Sequence, residues 1–155
     1  LADISDKALN VATKNSMRTE VIPAELENRI KFVRSNLFQM VTGSFDLITA
    51  NPPYIPENET IELLQDGRSE PVLALNGDVN VFTGEPSETK DGLAVIRELI
   101  PQAYEHLVPG GTLLVEAGEY NAEETQIIFS KYGFKKTEIF TDLEGQLRVV
   151  KGTKL

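Results

Sequence analysis

Four consecutive residues of this chain have side chains suited to a defined chemistry: Asn51, Pro52, Pro53 and Tyr54. Each proline fixes φ, lacks an N–H and restricts the residue before it to extended geometry, so the backbone here is stiff. The side-chain oxygen of Asn51 and the carbonyl of Pro52 can together accept both N–H bonds of a planar NH2 group. A planar nitrogen is a poor nucleophile because its lone pair is delocalised. The motif therefore predicts catalysis by positioning, with Tyr54 stacked on the planar group.

A short apolar run stands in front of this motif. Residues 45–50 follow Gly43 and Ser44 and end at the prolines, which predicts a buried strand of a parallel sheet. The carboxyl end of such a strand is where open α/β sheets bind their ligands. The alternative is a proline-stiffened turn with an exposed Tyr54. The preceding strand favours the catalytic interpretation.

Composition limits the class of protein. The chain has 155 residues, 41% of them hydrophobic and 25% charged, as in one soluble globular domain. No apolar run reaches membrane-span length and no signal-peptide pattern is present, so we expect a cytoplasmic protein without a membrane partner. The absence of Cys and a single His, His106, predict no metal site. A net charge of −9 opposes binding to phosphate backbones, so a protein or small-molecule partner is expected and no stable nucleic-acid partner.

Two strand ends precede the motif, and the first of them carries a candidate cofactor ligand. Asp3 ends a short strand, and Ser5 after it is suited to cap a helix. An acidic residue at such a strand end hydrogen-bonds a ribose diol in nucleotide-binding α/β folds, and the alternative is a solvated loop Asp. Residues 29–34 alternate charged and apolar types, which predicts a second strand leading to Asn36 and Leu37.

Residues 57–92 are the least regular part of the sequence. They contain a predicted short helix at 60–65 and are otherwise expected to form a flap beside the motif, because so long a connection in a compact domain is usually functional or mobile. Residues 78–90 are predicted to be a flexible insertion.

Regular elements return after this segment. Apolar residues from 93 to 107 recur at helical spacing, and residues 112–117 predict a second buried parallel strand. Asn121 and Glu124 are spaced as a capping box at the start of another helix. Residues 134–151 then predict an antiparallel hairpin.

Together these features resemble a class I methyltransferase domain, and more closely the HemK family of protein-(glutamine-N5) methyltransferases. The matching residues cover nearly the whole chain: Asp3-Ile4-Ser5 with Ala8-Leu9, Ala12 and Asn15; Phe45-Asp46-Leu47-Ile48 with Asn51-Pro52-Pro53-Tyr54-Ile55; Glu70-Pro71 with Ala74-Leu75 and Gly77; Asp91-Gly92-Leu93; Leu107 with Pro109-Gly110-Gly111; and Asp142-Leu143 with Gly145 and Arg148-Val149-Val150. The stretch from Glu70 to Leu93 separates this family from DNA adenine methyltransferases that carry the same tetrapeptide.

The resemblance implies an α/β, Rossmann-like fold whose mostly parallel sheet ends in an antiparallel hairpin. It also implies an enzyme of translation termination that uses S-adenosyl-L-methionine to methylate the glutamine amide in the Gly-Gly-Gln motif of peptide-chain release factors. The implied cofactor-binding residues are Asp3 at the ribose, Asn36 and Leu37 beside the adenine, and Asn51. The implied catalytic and substrate-binding residues are Asn51, Pro52, Pro53 and Tyr54. At Asn36 the family often has an acidic residue, and an Asn oxygen can still accept from an adenine amine.

Two departures from the family pattern qualify these expectations. The family's glycine-rich cofactor loop and first strand precede the position of Asp3, whereas this sequence begins at Leu1. We therefore expect residues 1–155 to be a single, amino-terminally incomplete catalytic domain that binds S-adenosylmethionine poorly and exposes strand edges. The insertion at 78–90 is the second departure. The alternatives are a nucleic-acid or small-molecule N-methyltransferase with the same tetrapeptide, and a non-catalytic methyltransferase-like binding module.

Overall fold

The computed structural model describes residues 1–18, 29–65, 67 and 69–155. Within it the chain forms two compact units, Leu1–Gly43 and Ser44–Leu155. Positions 66 and 68, which belong to the predicted flap at 57–92, lie outside the described residues.

The first unit contains a parallel strand pair and a helix. Strand β1 (Ala2–Asp3) pairs with β2 (Val33–Arg34), and helix α1 (Asp6–Ser16) packs against both strands. The predicted cap at Ser5 is confirmed, since its hydroxyl accepts the N–H of Ala8 at 3.3 Å. Strand β2 is shorter than the predicted 29–34, because β1 offers only two residues for it to pair with.

The second unit is built on a four-stranded mixed sheet. Its strands are β3 (Phe45–Ala50), β4 (Leu107–Glu116), β5 (Lys135–Thr141) and β6 (Leu147–Thr153), in the spatial order β3-β4-β6-β5. Strands β3 and β4 are parallel, whereas β6 runs antiparallel to both β4 and β5. The predicted α/β class and the closing antiparallel hairpin are thereby confirmed.

Strand β3 is not the buried strand that its apolar sequence predicts. Ile48 is buried at 9% exposure, but Leu47 is 55% exposed, and Asp46 and Thr49 are also exposed. Because β3 stands at the end of the sheet, β4 is its one strand partner in the described part of the chain. Side chains project from the faces of a sheet, and no described helix of this unit makes extensive contact with β3, so the prediction of complete burial is wrong.

Four described helices accompany this sheet: α2 (Glu57–Gln65), α3 (Val72–Leu75), α4 (Ala94–His106) and α5 (Ala122–Lys131). Helix α4 confirms the helix predicted from the apolar spacing at 93–107. The core lies where α4 and α5 cover β4 and β6, and its fully buried side chains include Ile96, Ile100, Leu113, Val115, Phe129, Phe134 and Val150. None of the described helices has the length and apolar character needed to cross a membrane.

Close packing in this core depends on a glycine in β6. A side chain at Gly152 would collide with the ring of Phe129, which lies on α5. The Phe129 ring packs 4.9 Å from the ring of Phe134, which in turn meets the ring of Tyr104 edge-on at 5.0 Å. The glycine thus allows α5 to approach the sheet closely enough for the aromatic cluster to form.

The predicted capping box at the start of α5 is wrong. Asn121 is the N-cap residue, but its side chain makes no capping hydrogen bond. Its Nδ2 instead donates to the carbonyl oxygen of Tyr54 at 3.0 Å. The amide is therefore held through its Nδ2, while its Oδ1, the atom that a cap requires, is buried without a hydrogen-bond partner among the described residues.

Candidate active site

The Asn-Pro-Pro-Tyr corner, residues 51–54, begins directly after β3 at the carboxyl end of the parallel strand pair. Pro52 is buried, whereas Asn51 is exposed, and no hydrogen-bond partner for the Asn51 amide is found among the described residues. At this corner Pro52 is therefore packed in the interior, while the Asn51 amide is exposed.

Asn51 lies on the wall of an open cavity of about 310 Å³. The other lining residues come from the ends of β3, β4 and β6: Thr49, Ala50, Leu114, Glu116 and Val149. Most of these are small or apolar, so Asn51 and Glu116 supply the strongest polar groups. The cavity is thus an open, mainly apolar depression with two polar side chains on its wall.

The backbone that follows the corner is held by the segment around Gly77. Ile55 donates its N–H to the carbonyl of Leu75 at 3.0 Å, and its own carbonyl accepts the N–H of Gly77 at 2.9 Å. A Cβ atom on Gly77 would collide with the carbonyl of Gly92, and one on Gly92 would collide with the carbonyl of Tyr54. The two glycines permit three backbone segments to meet behind the corner.

A buried carboxylate completes this support. Asp78 has no exposed surface, and its two oxygens accept the N–H of Glu57 at 3.1 Å and the N–H of Gly92 at 2.8 Å. Glu57 begins α2, so the negative charge of Asp78 also meets the positive end of that helix. Asp78 thus ties the start of α2 to the glycine that touches Tyr54.

Tyr54 is held at both its side chain and its backbone. Its hydroxyl donates to Oε1 of Glu116 at 3.0 Å, while its carbonyl accepts from Nδ2 of Asn121 at 3.0 Å and from the hydroxyl of Tyr120 at 3.4 Å. Burial raises the pKa of Tyr54 above 10.0, and the Glu116 carboxylate raises it further. Tyr54 is therefore a neutral phenol near neutral pH.

A second open cavity of about 280 Å³ lies on the side of Tyr54 that faces Tyr120. Its charged lining residues are Glu59, Glu119 and Arg148. Burial is the largest cause that raises the pKa of Tyr120 to about 12. Two neutral phenols therefore form the aromatic part of this cavity at physiological pH.

The predicted cofactor residues of the first unit lie at two neighbouring strand ends. Asp3 closes β1, and its carbonyl accepts the N–H of Ser35 at 3.0 Å, which joins it to the segment carrying Asn36 and Leu37. One carboxylate oxygen of Asp3 accepts the N–H of Ser5 at 2.7 Å. A carboxylate has about four acceptor positions on its two oxygens, so this bond leaves capacity for a hydroxyl ligand.

Leu37 has an unusual backbone conformation, with φ at +47°. The hydroxyl of Ser35 fixes it: Oγ donates to the carbonyl of Leu37 at 2.8 Å and accepts the N–H of Met40 at 3.0 Å. A left-handed Leu persists only where its surroundings impose it, and such residues concentrate at functional sites.

The structure thus groups the predicted site residues by unit. Asp3, Asn36 and Leu37 belong to the first unit, and residues 51–54 belong to the second, where Asn51 lines the first cavity and Tyr54 the second. Sequence reasoning missed Glu116, Asp78 and Asn121 as partners of the corner. Glu116 could have been found, because it ends the strand predicted to lie parallel to β3. Among the described residues no three His, Asp or Glu side chains are grouped to hold a metal ion.

Comparison with solved structures places the fold among class I methyltransferases. A ribosomal protein L11 methylase from Lactobacillus delbrueckii subsp. bulgaricus aligns with 99% of this chain and 56% of its own, at a TM-score of 0.62 and 17% identity. A methyltransferase from Pyrococcus furiosus aligns with 99% of this chain and 60% of its own, at a TM-score of 0.61 and 19% identity. These similarities define the fold.

Sequence comparison narrows the class to a family. A release factor glutamine methyltransferase from Borreliella burgdorferi is 31% identical over 150 residues, which is 97% of this chain and 47% of that protein. Another from Agrobacterium fabrum is 34% identical over 150 residues, or 96% of this chain and 46% of that protein. No family model matches the chain. The resemblance to the HemK family is confirmed by these relatives, and the chain spans about half of their length.

Proposed function

We propose that this chain forms part of an S-adenosylmethionine-dependent methyltransferase that modifies the glutamine side-chain amide in the Gly-Gly-Gln motif of a peptide-chain release factor. The observation that carries the proposal is the corner at 51–54: a proline-anchored Asn51 amide, exposed on the wall of a cavity at the end of a parallel strand. The curated relatives named release factor glutamine methyltransferases support the substrate class.

In this proposal the protein acts by orientation. The side-chain oxygen of Asn51 and the carbonyl of Pro52 accept the two N–H bonds of the substrate amide and so point the face of its nitrogen at the methyl donor. The fixed geometry supplies the rate enhancement, and a strong base is not needed, because the proton leaves the nitrogen after the methyl group has been transferred. Pro53 keeps this corner rigid, and the Tyr54 ring packs on the planar amide.

The residues of the first unit fit the methyl donor in this proposal. When bound, S-adenosylmethionine supplies the methyl group. The Asp3 carboxylate has acceptor capacity left for a ribose hydroxyl, and Asn36 and half-buried Leu37 offer a polar and an apolar contact for a purine. Ser35 keeps Leu37 in the conformation that presents it.

The test is mass spectrometry of a release factor incubated with S-adenosylmethionine and the full-length gene product. We expect a gain of one methyl group on the Gly-Gly-Gln glutamine and its loss in Asn51→Ala. The exposed Glu138 on β5 provides a matched control, so Glu138→Ala should methylate at the parent rate. Methylation of DNA or RNA in place of the release factor, or of neither, would refute the proposal.

A further inference from the structure

Glu116 connects the cavity that Asn51 lines with the hydroxyl of Tyr54. It is the last residue of β4, next to the carboxyl end of β3, where Ala50 pairs with Val115. Its side chain lines the same cavity as Asn51, and its Oε1 accepts the hydroxyl proton of Tyr54 at 3.0 Å. One carboxylate therefore reaches from the wall of the cavity to the aromatic residue of the corner.

Neighbouring residues hold both the backbone and the hydroxyl of Tyr54. The carbonyl of Tyr54 is fixed by Asn121 and Tyr120, so the remaining freedom of the residue is rotation of its side chain. The guanidinium of Arg148 lies close to the Tyr54 hydroxyl, and Asp142 holds that guanidinium through two hydrogen bonds of 3.2 Å and 3.0 Å. Glu116 is the acceptor that sets where the hydroxyl points.

We propose that Glu116 is a positioning residue, which holds the Tyr54 hydroxyl and thereby sets the orientation of the Tyr54 ring against the planar group bound at Asn51. This inference rests on the proposed function and extends it to a residue outside the corner. Glu116 acts through Tyr54 and does not itself touch the reacting nitrogen. Misplacement of a substrate-contacting ring by about 1 Å is enough to slow a reaction that depends on orientation by roughly 100-fold.

The kinetic test compares Glu116→Ala, Tyr54→Phe and the double variant in the full-length gene product. We expect each single variant to lower kcat by roughly 10- to 100-fold, with the Kd of S-adenosylmethionine unchanged. The double variant should be no slower than the slower single variant, because both substitutions remove the same hydrogen bond. Glu116→Gln should recover most of the rate, since an amide oxygen can also accept from the hydroxyl.

Three kinetic results would overturn the inference. Full activity of Glu116→Ala would mean that the contact is dispensable. Losses that multiply in the double variant would mean that the two residues act separately. Glu116→Gln as slow as Glu116→Ala would assign the effect to charge and not to positioning. Glu138→Ala, which removes a carboxylate from another strand of the same sheet, is the matched control and should keep the parent kcat.

A readout independent of activity separates this inference from the proposed function. Tyrosinate absorbance should titrate at lower pH in Glu116→Ala than in the parent, and the shifted step should be missing in Tyr54→Phe, because burial raises the pKa of Tyr54 and Glu116 raises it further. An unchanged titration refutes the contact whatever the substrate. Conversely, a shifted titration in a protein that methylates no release factor refutes the proposed function alone.

Discussion

Gly92 donates its backbone N–H to the buried carboxylate of Asp78 at 2.8 Å, and the same carboxylate accepts the N–H of Glu57 at 3.1 Å. Two segments 35 positions apart in the chain, at 57 and 92, are thus joined through one side chain behind the corner. The tetrapeptide that carries the proposed chemistry is therefore supported by residues far from it in sequence.

Removal of this carboxylate should destabilise the protein. Asp78→Ala leaves two backbone N–H groups without their charged acceptor, so we expect the free energy of unfolding to fall by about 3 kcal/mol. Urea denaturation monitored by circular dichroism measures the change. Glu85→Ala, which removes an exposed carboxylate from the same loop, should stay within about 0.5 kcal/mol of the parent. Equal stability of the two variants would contradict the supporting role of Asp78.

Two glycines with a positive φ angle provide a matched pair of substitution sites. Gly92 has φ at +73° and Gly84 at +76°, but only a side chain at Gly92 meets neighbouring atoms. Gly84→Ala should cost about 1 kcal/mol from backbone strain alone. Gly92→Ala should cost clearly more and should also lower methyl transfer, because its methyl group pushes against the carbonyl of Tyr54. Thermal unfolding and the release-factor assay measure the two effects, and similar values for both variants would contradict this account.

The Ser35 hydroxyl should matter to both stability and cofactor binding. Ser35 is 4% exposed, and Ser35→Ala leaves the Met40 N–H without its acceptor and frees Leu37 from its left-handed conformation. In the full-length gene product we expect a loss of about 2 kcal/mol in stability and a weaker affinity for S-adenosylmethionine by isothermal titration calorimetry. Ser44→Ala, at an exposed position, serves as the control. Unchanged affinity would exclude the Leu37 segment from the adenine site.

The ion pair between Asp91 and Arg97 predicts a small acid-linked loss of stability. Arg97 donates to the Asp91 carboxylate at 2.9 Å and 2.6 Å, and this hydrogen bonding is the main cause that holds the pKa of Asp91 below 3.8. The unfolded chain therefore takes up the proton first as the pH falls, so the contribution is present above about pH 4 and is lost below it. Because both side chains are partly exposed, it should stay below about 1 kcal/mol.

A comparison with Arg97→Met measures that contribution. The difference in melting temperature between the parent and the variant should shrink as the pH is lowered from 7 towards 3. A difference that stays constant over this range would mean that Arg97 stabilises the protein through packing alone.

The parts of this fold that the sequence predicts best are those with a repeating pattern. Helix α4 follows from apolar residues at helical spacing, and the position of the corner follows from the run at 45–50 that ends in prolines. These features depend on neighbours in the chain, which the sequence displays directly.

Long-range partners were harder to predict for a physical reason. Asn121 has the right type and spacing to cap α5, yet its amide donates to Tyr54, 67 positions away. The orientation of the amide is set by where the Tyr54 carbonyl lies in space, which local spacing does not encode, and in that orientation Oδ1 makes no capping bond. The exposure of Leu47 is likewise a long-range property, since it depends on which elements pack on the face of β3.

The hydrogen bonds to the carbonyl and to the hydroxyl of Tyr54 have a consequence for substitutions at this position. Asn121 and Tyr120 donate to the main-chain carbonyl of residue 54, and these two bonds do not involve the side chain of that residue. Position 54 can therefore be varied together with position 116 while the Asn51 acceptor stays in place. Under the proposed function, positions 54 and 116 are therefore the pair to vary when seeking transfer to other planar nitrogen groups.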